Sequence, residues 1–395
     1  MQQFDVIISG AGIVGATLAC ALGRKGVRVA LLEATEPPVI DERQREARVY
    51  AISRASERIL TALSVWDELA ASGHPFRRMH VWDAGGSGEI DFDCARIGEP
   101  HLGHMLEPRQ IRAALLRGVE ALPDISLLCP ARFSDIRVAG EQAEVLLEDG
   151  RELTAGLVVG ADGARSPVRE WFRMPAGVHD YHQCSLVAAV RTARHHDDSA
   201  WQRFLPGGPL AFLPMDDGWS SIVWTMPDAE IHAVLALDND DFHRALGEAF
   251  DYRLGDIVES GPRESWPLRR LHAERYVGER VALVGDAAHA IHPLAGQGVN
   301  LGLLDAATLA QTVLEARAGG RDPGSLRVLR RYERWRRGDN LLMMSAMDGI
   351  NRMFSNTLSP LGRLRNAGLS LVNRSGSARR LFMRHAMGLG GDLPR

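Results

Sequence analysis

The chain has 395 residues, 45% of them hydrophobic, enough to bury a core for about two domains. Its formal net charge of −4 gives no electrostatic reason to bind nucleic acid; Lys25 is its only lysine, and the arginines are spread along the whole length. Cys20, Cys94, Cys129 and Cys184 are widely spaced without a C-x-x-C pair, which argues against a disulfide framework and for a reducing compartment.

The first element is an apolar run that opens at Asp5 and breaks into Gly10-Ala-Gly12-Ile13-Val14-Gly15 before a helical pattern, Ala16–Leu22. In G-x-G-x-x-G, Gly10 serves the tight turn, Gly12 lets the backbone approach a pyrophosphate, and Gly15 allows close helix–strand packing. The helix start then offers unpaired N–H groups and a positive dipole end to phosphates. A second apolar run, Val27–Leu32, ends at Glu33, where a carboxylate can hold a ribose 2′-OH and repels a 2′-phosphate. This favours FAD or NAD over NADP. With Asp5 inside the opening strand no signal peptide is expected, and no run approaches the ~20 apolar residues of a membrane span.

Residues 37–50 are polar. A helical pattern, Ser53–Leu63, leads to the alternating stretch 78–94, in which Gly85-Gly86-Ser87-Gly88 marks a hairpin. Arg109–Leu122 reads as a helix, and Ile125–Leu128, Phe133–Val138 and Val145–Leu147 as strands. Leu157–Gly160 is a short apolar strand that runs into Ala161-Asp162-Gly163, with Ser166 as a helix N-cap and Pro167 as the first helical residue. From Ser185 to Met226 the chain is strand-like, with Leu186–Arg191, Leu210–Leu213 and Ser221–Thr225 clearest; residues 239–250 look helical. Trp266–Arg270 and Val281–Val284 return to strands. The latter delivers Gly285-Asp286 at its carboxyl end, where open α/β sheets place ligands. Gly296-Gln297-Gly298 then opens a helix whose N–H groups can stabilise charge on an electron-rich ring. His289 and His292 lack a third ligand at metal spacing, so no metal site is expected.

These elements predict an α/β fold. A Rossmann-like dinucleotide-binding domain (1–175 and 275–340) carries an inserted, mostly antiparallel β domain for substrate (176–274) and a helical C-terminus (341–395), with the 76–95 hairpin a candidate to join the substrate domain.

Three signals in this order, G-x-G-x-x-G with Glu33, then Gly160–Arg169, then Gly285–Asn300, resemble the single-component flavin aromatic monooxygenases of the p-hydroxybenzoate hydroxylase type. The likeness is narrower with the ubiquinone-biosynthesis hydroxylases. Arg48-Val-Tyr-Ala-Ile-Ser, His101-Leu-Gly-His, Ala211-Phe-Leu-Pro, Ser221-Ile-Val-Trp, His292–Gly302 and Arg331-Tyr-Glu carry it, across essentially the whole chain.

The resemblance implies an FAD enzyme with NAD(P)H or a reductase protein as electron donor. Its substrates are a polyprenylated phenol and O₂, and a flavin C4a-hydroperoxide hydroxylates the ring. Gly10, Gly12, Ile13, Val14, Gly15 and Glu33 would hold the ADP half, and Arg48 would lie beside the pyrophosphate or ring. Asp162 and Arg169 belong to the second motif, and Gly285 and Asp286 to the ribityl–pyrophosphate region. Pro293, Gly296, Gln297, Gly298, Val299 and Asn300 would line the isoalloxazine, with Pro293 and Gly296–Gly298 forming the environment of the oxygen chemistry. Arg109 is a further flavin candidate, with Pro108 beside it disturbing the pattern. Phe212, Pro214 and Trp224 are candidate walls of the substrate site. Residues 352–395 carry eight arginines against Asp392 alone, interleaved with apolar residues. That composition suits peripheral contact with anionic lipid or with a biosynthetic complex. The expected location is cytoplasmic, at the inner membrane. A hydroxylase of a soluble aromatic and a flavin-bound subunit of a complex are the alternatives.

Overall fold

The computed structural model describes residues 1–36, 45–290 and 298–354 (side chains to 350), with 383, 387–389 and 394 beyond them. Among the described residues, six strands form a sheet in the spatial order Val277–Gly278, Val281–Leu283, Leu157–Gly160, Val6–Ser9, Val29–Leu32, Ile125–Leu128. All neighbours after the first pair run parallel. The central strands are short, rich in valine, leucine and isoleucine, and buried on both faces, the pattern that helices on each side of a parallel sheet impose. The helix Ile13–Gly23 is buried over most of its surface through Gly15, Ala16, Ala19 and other small residues. It packs against the helices Gly298–Ala318 and Pro108–Glu120.

A larger antiparallel sheet is organised on Ala176–Thr192, a 17-residue strand paired with Trp219–Pro227 on one side and Glu264–Ala273 on the other. Beyond Trp219–Pro227 lie Gly208–Pro214 and Ser199–Leu205, and then the hairpin of Arg78–Asp83 with Glu89–Asp93, joined in parallel through Met79 and Ala200. The hairpin is thus an edge of this sheet. A third, three-stranded sheet of Tyr50–Ser53, Gly103–Leu106 and His74–Phe76 stands between the two.

The period of two along Gly208–Pro214 decides which residues face which core. Leu210 and Phe212 join Leu186, Ile222, Phe242 and Phe250 under the helices Asp228–Leu235 and Asn239–Ala249, with Trp224 packed at the edge. The ring of Phe212 stacks on Phe250 at 3.8 Å. Phe212 and Trp224 are therefore core residues of the outer face and not substrate walls, and Pro214 shares their parity on the strand. Ala211 and Leu213 face the other way, meeting Ala51 and Met105 of the three-stranded sheet and Val49 just before it.

Caps behave as the sequence indicates. The Ser53 hydroxyl accepts from Ser56 N at the start of Arg54–Ala62, and Ser166 Oγ accepts from Arg169 N above Pro167, each worth about 1 kcal/mol. Pro108 does not disturb its helix. It occupies the first helical position, where its missing N–H costs nothing, and Glu107 N donates to the Gln110 side chain at 3.0 Å. The helix Leu326–Phe354 runs unbroken through the expected boundary at 340/341. Near its end Asp348 pairs with Arg270 and accepts from Tyr181 of the large sheet.

Candidate FAD site at the strand ends

The three glycine turns are hydrogen-bonded neighbours. Gly10 N donates to Leu32 O at 2.8 Å, Ala161 N to Ser9 O at 2.8 Å, and Val284 N to Gly160 O at 3.0 Å. Segments 150 and 275 residues from the first fingerprint therefore end on one edge of the parallel sheet, at the carboxyl ends of adjacent strands. Gly10 has φ +103°, and a Cβ there would stand 2.5 Å from Ala161 O, so the first two turns touch through glycine. At Gly12 a Cβ would meet nothing within 4 Å. Gly12 is the N-cap of the Ile13–Gly23 helix with no side-chain cap, which leaves the first amide groups of that helix, Ile13 and Val14 among them, open to an anion. Gly15 packs beneath, its Cβ position within 1.9 Å of Gly10 O.

A cleft of about 810 Å³ opens over the first two turns, lined by Gly10, Gly12, Glu33, Arg132, Asp162 and Trp171 among others. Glu33 Oε2 accepts from Ala11 N at 3.1 Å and from the Arg112 guanidinium at 3.0 Å, while Arg112 Nε donates to Ala11 O at 3.3 Å. Arg112 thus locks the acid against the glycine turn. The sequence offered a signal for it, an arginine one helical turn after Arg109 in a helix that follows a buried strand.

Asp162 accepts from Val168 N at 3.1 Å through Oδ2, while its buried Oδ1 has no partner among the described residues. Burial raises its carboxyl above the ordinary carboxylate range, against Ser166, Val168 N and Ser9, which hold it down. An acceptor left over beside an uncapped helix start and an open glycine suits a polyol or phosphate-bearing ligand.

Arg169 plays a different part. It is buried, with its guanidinium on Ala287 O at 2.9 Å and Ala164 O at 2.8 Å, so it ties the second turn to the third. In the third turn Gly285 has φ +58°, and its Cβ position meets Val14 at 3.1 Å; Gly302 faces the same valine at 2.6 Å. Val14 is therefore the wedge between the first helix and the third motif. Asp286 reaches the surface yet is ringed by protein. That crowding raises its carboxyl, with His289 and Arg48 opposing. Arg48 lies over the Tyr50 ring, 4.9 Å from its centroid.

Arg109 Nε pairs with Glu107 at 2.5 Å, and its backbone N–H donates to Glu46 at 3.3 Å. Asn300 is buried. Its Oδ1 accepts from Ser53 N at 2.9 Å and Ser56 Oγ at 2.7 Å, and its Nδ2 donates to Ala51 O at 2.8 Å. The motif asparagine therefore fastens the Gly298–Ala318 helix to the Tyr50–Ser53 strand. Gly298 and Val299 lie in that helix; Pro293, Gly296 and Gln297 fall outside the described residues.

Beneath the third turn lies a buried polar cluster that the sequence did not disclose. Asp305 accepts from Gly285 N at 3.1 Å, from Arg336 Nε at 2.8 Å and from Asn340 Nδ2 at 3.1 Å, and lies 2.5 Å from His289 Nε2. These partners overcome the cost of burial and hold its carboxyl down at about 2. Its one trace in the sequence is an acid within the apolar run Leu301–Ala310.

The sequence model of the FAD binding domain family matches residues 3–341. The chain belongs to that family. It is 41% identical over 394 residues to the ubiquinone hydroxylase UbiL of Rhodospirillum rubrum, covering 99% of this chain and 92% of that protein. It is 38% identical to the 3-demethoxyubiquinol 3-hydroxylase of Escherichia coli, over 98% and 99% of the two chains. Among solved structures it resembles PqsL of Pseudomonas aeruginosa, a probable FAD-dependent monooxygenase, with TM-score 0.78, 25% identity, and 93% and 99% covered. The chain is thus an FAD-dependent monooxygenase of the ubiquinone-biosynthesis group. Among the described residues no helix is long and apolar enough to cross a membrane.

Proposed function

We propose that this enzyme hydroxylates the aromatic ring of a polyprenyl-phenol intermediate in ubiquinone biosynthesis. The observation that carries this is the alignment of three strand-end turns along one edge of the parallel sheet, in a chain that matches named quinone hydroxylases over nearly its full length. When bound, reduced flavin supplies the activation of O₂ and the transfer of one oxygen atom to an electron-rich ring.

The chain's own residues do the rest. The amides of Gly12, Ile13 and Val14 hold the pyrophosphate, and Glu33, kept in place by Arg112, holds the adenosine ribose. Asp162 and Asp286 accept from the polyol part of the cofactor, with Arg48 balancing the phosphate charge. Arg169, Asn300 and Asp305 fix the turns against each other. Ala211, Leu213, Val49, Ala51 and Met105 form an apolar seam that keeps water from the neighbouring ring site. The electron donor is NAD(P)H or a reductase protein. The basic, leucine-interleaved segment 352–395 supports delivery of the prenylated substrate from an anionic membrane surface.

A deletion strain grown in air tests the function. It should lose its quinone and accumulate a prenyl-phenol lacking one hydroxyl, identified by mass spectrometry; normal quinone content would refute the assignment.

A further inference from the structure

We propose that His74, His196 and Asp198 form a binding site for a divalent metal ion of the zinc class, structural in role, away from the flavin turns. The ligands come from two distant segments. His74 opens the strand His74–Phe76, while His196 and Asp198 lie in the turn before Ser199–Leu205. One ligand atom of each residue lies within 4.8 Å of the others. Donors on one tetrahedral zinc stand about 3.3 Å apart, given bonds of about 2.0–2.1 Å. Small side-chain adjustments therefore close the cluster on an ion.

The outer hydrogen bonds select which nitrogens are offered. His196 Nε2 is 2.9 Å from Met215 O, a carbonyl that can only accept, so Nε2 carries the proton and Nδ1 keeps its lone pair. That Nδ1 has no partner among the described residues, and His196 is 1% exposed. His74 Nδ1 is 2.9 Å from Asp216 Oδ1, while its Nε2 is 3.1 Å from Asp198 Oδ1.

A neutral His74 can donate to only one of these two carboxylates, so the other contact sets lone pair against lone pair. A proton could bridge His74 to Asp198 but would leave His196 Nδ1 bare. A cation between them satisfies all three atoms at once. One histidine backed by a carboxylate and the other by a carbonyl is the outer-shell arrangement that orients metal ligands. Asp197, Asp216 and Asp217 add negative charge nearby, against Arg77, 3.5 Å from Asp198, and Arg45. The comparable cluster of Glu57, His101 and His104 lacks this opening, because the Arg54 guanidinium already occupies Glu57 and His101. A bound ion would pin the turn before Ser199–Leu205 in the large sheet to the edge of the three-stranded sheet.

The test uses untagged, FAD-loaded protein, freed of metal by a chelator and titrated with Zn²⁺, and with Co²⁺ for its visible spectrum. One equivalent should bind, with a tetrahedral Co²⁺ spectrum and a raised melting temperature. His196→Ala and Asp198→Asn should each weaken binding at least about 10-fold with flavin absorbance unchanged, and Glu57→Gln should not. Failure of the wild-type protein to bind one equivalent would overturn the proposal, without recourse to any variant. Undiminished binding by His196→Ala and Asp198→Asn, or loss of binding in Glu57→Gln alone, would overturn it equally.

Discussion

Replacing Asp305 with Asn preserves its shape and removes the negative charge on which donors from three segments converge. Those donors are Gly285 N, His289 and the pair Arg336 and Asn340. Arg336 is 3% exposed, so it cannot turn to water for compensation. Its remaining partners are Asn340 at 2.7 Å and Asp339 at 3.2 Å. The amide also introduces N–H donors where the carboxylate offered only acceptors. Breaking a buried pair from one side costs about 3–5 kcal/mol. With an unfolding entropy of about 2.1 cal/mol/K per residue, roughly 0.8 kcal/mol/K over 395 residues, the melting temperature should fall by about 4–6 °C. Because Asp305 anchors Gly285, FAD should also be lost more readily, read from the bound flavin absorbance after dialysis. Differential scanning calorimetry of Asp305→Asn, Arg336→Met and the double variant measures the first effect. The double variant should recover most of the loss, since no charge is left stranded. A melting temperature within about 1 °C of wild type for Asp305→Asn, or a double variant at the sum of the singles, would refute the reasoning.

The same carboxyl gives a pH dependence. Its folded value of about 2 lies below the ordinary value near 3.8, so the stability it contributes is complete above about pH 4 and is lost as pH falls toward 2. Denaturant melts of wild type and Asp305→Asn should therefore converge below pH 4. Gly12→Ala should leave the fold intact, because its Cβ meets open space, yet weaken FAD at least about 10-fold as the methyl enters the phosphate approach. Gly10→Ala, at φ +103° and 2.5 Å from Ala161 O, should instead destabilise the protein itself, and circular dichroism with flavin titration separates the two. Glu33→Gln, which removes the charge that holds Arg112, should weaken FAD by about 10-fold or more in fluorescence titrations, with near-native melting of the flavin-free form.

The glycine turns were legible because their signals are local. A strand, a turn that needs glycine and a helix start lie within ten residues, and period and composition report them directly. The helix cap at Ser166 and the hairpin around Gly85–Gly88 were legible for the same reason. The role of Asn300 was not, since its partners Ala51, Ser53 and Ser56 lie some 250 residues away. Nor was the facing of Phe212 and Trp224. Alternation along a strand shows that two sides exist but cannot say which side meets the helices.

The sequence by itself determined the cofactor and the family, because a dinucleotide is bound by backbone geometry that only certain local patterns permit. Tertiary structure alone decided what holds the three turns side by side: Arg112 on Glu33, Arg169 between the second and third turns, and Asp305 beneath Gly285. Those contacts join residues tens to more than a hundred positions apart, and a buried charge can be placed only once its partners arrive with it.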